Sequence, residues 1–303
     1  MYLLHCPQMA SLAEKLVGRT PGLFPATVRW EQFDDGFPKL TIENTDTLRN
    51  QDIAFLASFD NPGEIFRQLS AIYEIPRYGV RSFKVVLPYY PTGTMERVDQ
   101  DGQVATAATL AKMLSQIPLT ISGPTQVIIY DIHALQERFY FSDQVSPRLE
   151  TAMPLLLKRL EQESDLAVAF PDDGAVKRFS RHFPHLPQIV FQKVRKGRQR
   201  SVTIKEGNPG GLHVVIVDDL VMTGGTLLKC QELLLARGAA RVSAFVTHGI
   251  FPKESYRNFS PHGFARFWMT DSCPVMAGHL DGTPPFEVLS LAPPLSALLQ
   301  PGG

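Results

Sequence analysis

Short apolar runs rich in valine and isoleucine recur along this chain, and the longer segments between them carry apolar residues at helical spacing. A run with no polar face has to be covered on both sides. That is the condition of a strand inside a parallel sheet, whose crossover helices supply the cover. Strands are predicted at Phe83 to Leu87, Val127 to Tyr130, Leu166 to Phe170, Ile189 to Phe191, Val214 to Val217, Val242 to Thr247 and Phe267 to Thr270. Helices are predicted over Asn61 to Ile75, which opens on the helix-start pattern Asn-Pro-Gly-Glu, over Thr106 to Leu114 and over Thr226 to Arg237. The chain therefore reads as α/β with mainly parallel sheet.

A weak internal repeat divides it. Val85-Val86-Leu87-Pro88 is echoed 83 residues further on by Val168-Ala169-Phe170-Pro171. Val127 to Asp131, a buried strand running into an acid, is echoed 87 residues on by Val214 to Asp218. Two matched pairs at nearly equal offsets suggest a duplicated domain, although strand-then-acid is also common wherever ligands sit at the carboxyl ends of parallel strands. The 303 residues suit two domains, with the boundary expected between 145 and 160. The expected division is 1–150, completed by 286–303, and 151–285.

Composition removes several functions. Thirty Lys and Arg balance thirty Asp and Glu, so no global field draws the chain to nucleic acid or to a membrane surface, and neither is expected as a partner. Cys6, Cys230 and Cys273 are an odd, widely spaced set without paired ligand spacing, which argues against a zinc cage or a disulfide framework and for a reducing compartment. No apolar run approaches the roughly 18 residues of a membrane helix, and Met1 to Leu16 lacks a signal-peptide core. The expected location is the cytoplasm, or an organelle interior after loss of a transit peptide.

The segment that carries most chemistry is Val214 to Thr226: a buried strand, Asp218 and Asp219, a loop with Thr223, Gly224 and Gly225, and a helix start at Thr226. Glycines permit positive φ and close backbone approach, so that successive N–H groups converge on a phosphate at the positive end of the helix. Thr223 and Thr226 add hydroxyl donors. Adjacent carboxylates accept hydrogen bonds from paired sugar hydroxyls, or hold Mg²⁺ through water. Together they describe a cradle for ribose 5-phosphate. The plain alternative is a glycine turn with one acid as a helix cap, which needs only one acid.

Three further segments follow predicted strands. His133, in Asp131 to Phe139, could donate to or ligate Mg²⁺ at a nucleoside triphosphate, or be an ordinary satisfied histidine. Pro171-Asp172-Asp173-Gly174 suits a site for Mg²⁺ and a diphosphate, or a turn with a helix cap. Lys193, Arg195, Lys196, Arg198 and Arg200 form a basic run that could be a solvated face, or a mobile loop closing over polyphosphate.

These motifs carry a family resemblance. The Asp218 to Thr226 loop resembles the fingerprint shared by type I phosphoribosyltransferases and phosphoribosyl-diphosphate synthetases. Asp131-Ile132-His133-Ala134 is similar to the Asp-Leu-His-Ala segment of the synthetases, which plain phosphoribosyltransferases lack. Phe33-Asp34-Asp35-Gly36, Ser58 to Pro62, Pro88-Tyr89-Tyr90, the basic run and Thr247-His248-Gly249 extend the likeness over essentially the whole chain. Pro91 to Arg97, Leu135 to Phe141 and Phe170 to Ala175 look like the plant-type class II branch of the ribose-phosphate diphosphokinases.

The resemblance implies two tandem phosphoribosyltransferase-like domains, each a mainly parallel sheet flanked by helices. It implies Mg²⁺-dependent transfer of the diphosphoryl group of ATP, or of another nucleoside triphosphate, to the anomeric hydroxyl of ribose 5-phosphate, in a homo-oligomer. Lys193 and Arg195 match the synthetases' catalytic loop, His133 contacts nucleotide and metal, and Asp172 occupies the position that binds metal and diphosphate. Phe33 and Asp35 would contact the base of a neighbouring subunit's nucleotide, while Gly93 and Arg97 would contact phosphate. Departures gather at the nucleotide end: Phe37 stands where a Glu reads the base, and Pro91 to Arg97 replaces a Tyr-Ala-Arg-Gln-Asp-Arg stretch. Met222 departs within the cradle. The class II likeness further implies a looser choice of triphosphate, no need for inorganic phosphate and no inhibition by ADP. A phosphoribosyltransferase using the same cradle, or a silent regulatory homologue, are the rival readings.

Overall fold

A computed structural model describes residues 1–196, 199–259 and 263–300, with the backbone alone between 193 and 201. The chain separates into two compact units, Met1–Glu150 with Ser290–Gly303, and Thr151–Leu289.

The first unit contains β1 (Tyr2–His5), α1 (Ala10–Arg19), β2 (Phe24–Pro25), β3 (Val28–Gln32), β4 (Pro38–Ile42), α2 (Thr45–Leu48), β5 (Asp52–Leu56), α3 (Pro62–Glu74), β6 (Ser82–Val86), α4 (Thr106–Leu114), β7 (Thr125–Tyr130) and β8 (Val145–Glu150). The sheet order is β2-β1-β5-β6-β7-β8 with every pairing parallel, and β3 and β4 form a separate antiparallel hairpin. Ile53, Phe55, Val85, Val127 and Ile129 are fully buried at the centre of its core, as the absence of any polar alternation required. The helix start at Asn61 behaves as its sequence implies: the Asn61 carboxamide accepts from Glu64 N–H at 3.1 Å and Pro62 opens α3, a cap that contributes about 1 kcal/mol.

The second unit contains α5 (Met153–Leu160), β9 (Leu166–Phe170), α6 (Asp173–Phe179), β10 (Gln188–Lys196), β11 (Gln199–Glu206), β12 (His213–Val221), α7 (Gly225–Ala236), β13 (Arg241–Gly249), β14 (Phe267–Thr270), α8 (Pro274–Leu280) and β15 (Phe286–Leu289). The order is β11-β10-β9-β12-β13-β14-β15, parallel except for the β10–β11 ribbon. Both members of the internal repeat fall on neighbouring parallel strands, β6 with β7 and β9 with β12.

Two expectations change. Residues 286–289, assigned to the first domain from sequence, pair with β14, and the Phe286 ring lies 5.3 Å from that of Phe267; the return to the first unit begins at Ser290. There α9 (Ala292–Leu298) sits against α1, with Thr20 Oγ1 donating to Ser296 Oγ at 2.8 Å and Lys84 Nζ to Leu298 O at 2.9 Å. The basic run was expected in a loop after a short strand. Its backbone instead continues β10, with Lys193 opposite Val202 and Arg195 opposite Arg200 of β11, because Val190, Val194, Val202 and Ile204 supply β-branched residues on both strands.

Candidate active site

β12 outruns its neighbour. Pairing with β9 stops at Ile216, while pairing with β13 continues to Val221. Asp218 and Asp219 therefore lie inside a hydrogen-bonded strand, where the sequence reading had placed them at its end. Helix α6, leaving the end of β9, brings Arg178 to them. Its Nη2 is 2.6 Å from Asp219 Oδ1 and 3.9 Å from Asp218 Oδ1. Asp219 is 3% exposed, so this pair is shielded from water.

Asp172 caps the same helix, its Oδ1 accepting from Gly174 N–H and Ala175 N–H at 3.1 Å each. The plain capping role weighed for it is thus realised, and leaves its second oxygen outside those two bonds. Burial drives the Asp218 carboxyl well above the ordinary carboxylate range; the charge of Asp219, its hydrogen bond and the charge of Asp172 add to this, and Arg178 opposes it. Arg178 offsets part of the charge of the neighbouring acids, and a cation or sugar hydroxyls arriving there would relieve the repulsion that remains.

The loop that follows opens a helix on glycine. Gly224 has φ 81° and precedes α7 as its cap position, without a side-chain cap. The first-turn N–H groups of α7 consequently meet no capping side chain, at the positive end of a twelve-residue helix. Gly224 alone takes positive φ. Gly225, expected to share that role, is an ordinary first helical residue, and a Cβ added there would meet open space. Thr223 is exposed and Thr226 half-buried beside it, and Met222 projects outward at 44% exposure.

Lys205 of β11 reaches Asp173 at 3.3 Å, tying the β10–β11 ribbon to the Asp172 turn. The Lys193 and Arg195 side chains lie outside the described residues.

The remaining candidates belong to the first unit. His133 follows β7 after Asp131, whose φ is 36° and whose N–H donates to Glu150 O at 2.9 Å. A Cβ on Gly93 would come within 3.3 Å of the His133 Cβ and 3.5 Å of the buried Glu137 carboxylate, so the Gly93 turn and the His133 turn are packed together. Arg97 is largely exposed between Glu96 (3.7 Å) and Asp99 (3.6 Å). Phe33 and Asp35 occupy the tip of the β3–β4 hairpin; Asp35 Oδ1 accepts from Phe37 N–H at 3.1 Å, and Lys39 Nζ stands 5.9 Å from the centre of the exposed Phe33 ring.

Comparison with known proteins places this chain in a family. Residues 1–117 match the N-terminal domain of ribose phosphate pyrophosphokinase, and residues 140–259 match the phosphoribosyl transferase domain. Ribose-phosphate pyrophosphokinase 3, chloroplastic, of Oryza sativa is 52% identical over 98% of this chain and 75% of its own length. The chain belongs to the ribose-phosphate pyrophosphokinases. Within that family, ribose-phosphate pyrophosphokinase 4 of Arabidopsis thaliana is 51% identical over 99% of this chain and 92% of its own, against 26% for the protein of Gloeobacter violaceus, which supports the plant-type branch. The crystal structure of phosphoribosylpyrophosphate synthetase from Mycobacterium smegmatis, 21% identical, superimposes with a TM-score of 0.84 over 98% of this chain and 96% of that one, and so shares its fold. The protein is an enzyme, a ribose-phosphate diphosphokinase with two phosphoribosyltransferase-like domains.

Arg178 was missed in the sequence. A cation six residues after a helix-capping acid carries no signal by itself; only the parallel adjacency of β9 and β12, with α6 crossing over their ends, brings it to the two acids.

Proposed function

We propose that this ribose-phosphate diphosphokinase moves the β,γ-diphosphoryl group of ATP to the anomeric hydroxyl of ribose 5-phosphate, in a Mg²⁺-dependent reaction giving phosphoribosyl diphosphate and AMP. The observation that carries it is the conjunction, within nine residues, of the paired acids Asp218 and Asp219 with the uncapped, glycine-led start of α7. The sugar hydroxyls would rest on the acids and the 5-phosphate on the N–H groups and hydroxyls of Thr223, Gly224, Gly225 and Thr226. The anomeric oxygen attacks the β-phosphorus, the bond from that phosphorus to the α,β-bridging oxygen breaks, AMP leaves with that oxygen, and the hydroxyl proton is released. Lys193 and Arg195 would neutralise charge on the migrating group.

The acids fit a hard cation. Mg²⁺ takes one or two carboxylates and completes its shell with phosphate oxygens and water. Asp172 and His133 are each proposed as a metal-contacting residue. When bound with nucleotide, the ion supplies electrostatic stabilisation of the phosphate oxygens. His133, Arg97, Phe33 and Asp35 are proposed for the nucleotide, the last two acting on a neighbouring subunit of a homo-oligomer. Phe37 relaxes the choice of base, so other triphosphates serve as donors. The proposed location is the cytoplasm, with an organelle interior as alternative.

The test is to mix the protein with ATP, Mg²⁺ and ribose 5-phosphate and to separate nucleotides by chromatography. AMP formed only when the sugar phosphate is present supports the reaction; ADP as sole product, or no turnover, refutes it. Lys193→Ala should lower kcat by about 10³-fold while ribose 5-phosphate affinity stays within about threefold. Near-normal turnover in that variant would remove the ribbon from the mechanism.

A further inference from the structure

The segment after β13 has no part in the reaction as described, yet it is wound against the phosphate loop residue by residue. Ile250 N–H donates to Val221 O at 3.1 Å, holding the last residue of β12. Ser255 Oγ donates to Met222 O at 2.8 Å, and Asn258 Nδ2 approaches Thr223 O at 3.5 Å. The Phe259 ring fills the space that a Cβ on Gly224 would need, its Cε2 2.5 Å from that position. Residues 221 to 224 are thus each engaged by a residue between 250 and 259.

The segment is itself fixed from behind. Phe259 is 3% exposed, with ring centres of Phe267 at 5.0 Å, Phe251 at 5.5 Å and Phe264 at 5.7 Å. Tyr256 Oη lies 2.9 Å from His279 Nε2 of α8. Phe251, Lys253 and Glu254 have φ of 46°, 53° and 57°. Left-handed backbone at residues with side chains persists only where the surroundings over-determine it, and it gathers at ligand clamps.

Peptide geometry says what such a grip does. In a trans peptide the C=O of one residue and the N–H of the next point in opposite directions. Capturing Met222 O from one side therefore turns the Thr223 N–H to the other, and capturing Thr223 O does the same for Gly224 N–H. Without those donors either peptide could flip and present an oxygen to the anion. We propose that residues 250–259 form a clamp that presets the N–H groups of the ribose 5-phosphate loop, with Ser255 and Phe259 as positioning residues. The clamp rests on the assignment of residues 223–226 to the sugar phosphate, and it makes affinity for that substrate separable from affinity for nucleotide.

The experiment is titration calorimetry of ribose 5-phosphate into the full-length protein, the Ser255→Ala and Ser255→Thr variants and Phe259→Leu, with KM measured for both substrates. Ser255→Ala should weaken ribose 5-phosphate by about fivefold, the loss of one hydrogen bond. Its nucleotide KM should stay within about twofold. Ser255→Thr, which keeps the hydroxyl, should restore affinity. Phe259→Leu should weaken the sugar phosphate more than Ser255→Ala does. Unchanged affinity in both Ser255→Ala and Phe259→Leu, or an equal rise in both KM values with no rescue by threonine, overturns the clamp alone. No binding by the wild-type protein overturns the loop assignment and the clamp with it.

Discussion

At the scale of single residues, two adjacent glycines separate conformation from chemistry. Gly224 holds positive φ under the Phe259 ring, so Gly224→Ala combines a strained backbone with overlap against a buried aromatic. A destabilisation of about 2 kcal/mol or more is expected in denaturant unfolding. Gly225 has neither constraint, and alanine as a first helical residue should leave stability unchanged or raise it by up to about 1 kcal/mol. Its methyl group would occupy the open space the phosphate is proposed to enter, so Gly225→Ala should raise the KM for ribose 5-phosphate about tenfold. The pair Gly-Gly was legible in the sequence as the turn that opens a helix, but the division of labour within it was not, because Phe259 lies 35 residues downstream and enters only through tertiary packing. The adjacent acids stood out in the sequence because two carboxylates side by side exceed what a helix cap requires. Their partner Arg178, and Ser255 across the loop, are contacts between elements, and spacing along one element cannot reveal them.

At the scale of the element, β12 joins two electrostatic environments. Near its end Asp218 is held from ionising, and at its start His213 is held from gaining a proton. His213 is buried, with Nε2 2.9 Å from Ser243 Oγ and Nδ1 3.5 Å from Glu163. Burial lowers its pKa from 6.5, the charges of Arg241 and Arg266 act in the same direction, and Glu163 opposes them. The unfolded chain then binds more protons than the folded one just below pH 6.5. Stability contributed by the neutral imidazole is complete above that pH and lost as pH falls towards the folded value, with a slope of at most about 1.4 kcal/mol per pH unit. Urea unfolding measured from pH 7 down to 5 should show this decline, and His213→Gln should flatten it. A slope unaltered by that substitution would assign the decline to another group. The central strands of both units and the helices α3, α4 and α7 were legible because their period is unambiguous: β9, β14 and α4 match the predicted ranges. Elements at the margins were not. Phe24–Pro25 is too short to show a pattern, and in β10 and β11 the cations mask an alternation that only the facing strand completes.

At the scale of the whole molecule, the first unit is closed by the chain's last helix. Leu291, Leu295 and Leu299 are fully buried, and Ser296 bonds to Thr20 at the end of α1. Burial of each such leucine contributes about 2 kcal/mol, and together they approach the entire stability of an ordinary domain. Deleting residues 290–303 should therefore abolish the cooperative thermal transition of the first unit, while the second, with a core cluster that runs from Ala167 to Val288, keeps one of its own in scanning calorimetry. Loss of both transitions would show that the second unit does not stand alone. The α/β class and the duplication could be read in advance, since buried runs and their echoes are local patterns. The return of the C-terminal segment was expected too, but its start was set at 286 where the structure has Ser290, because Phe286 to Leu289 is as apolar as the segment that follows it and only its pairing with β14 assigns it to the second unit. The same return fixes an order of events during synthesis. The N-terminal sheet emerges from the ribosome first but lacks its closing helix until every residue of the second unit has been made. The unit translated later is thus the first that can finish folding, and the earlier one must wait with the face of α1 uncovered, a period in which a chaperone has something to hold.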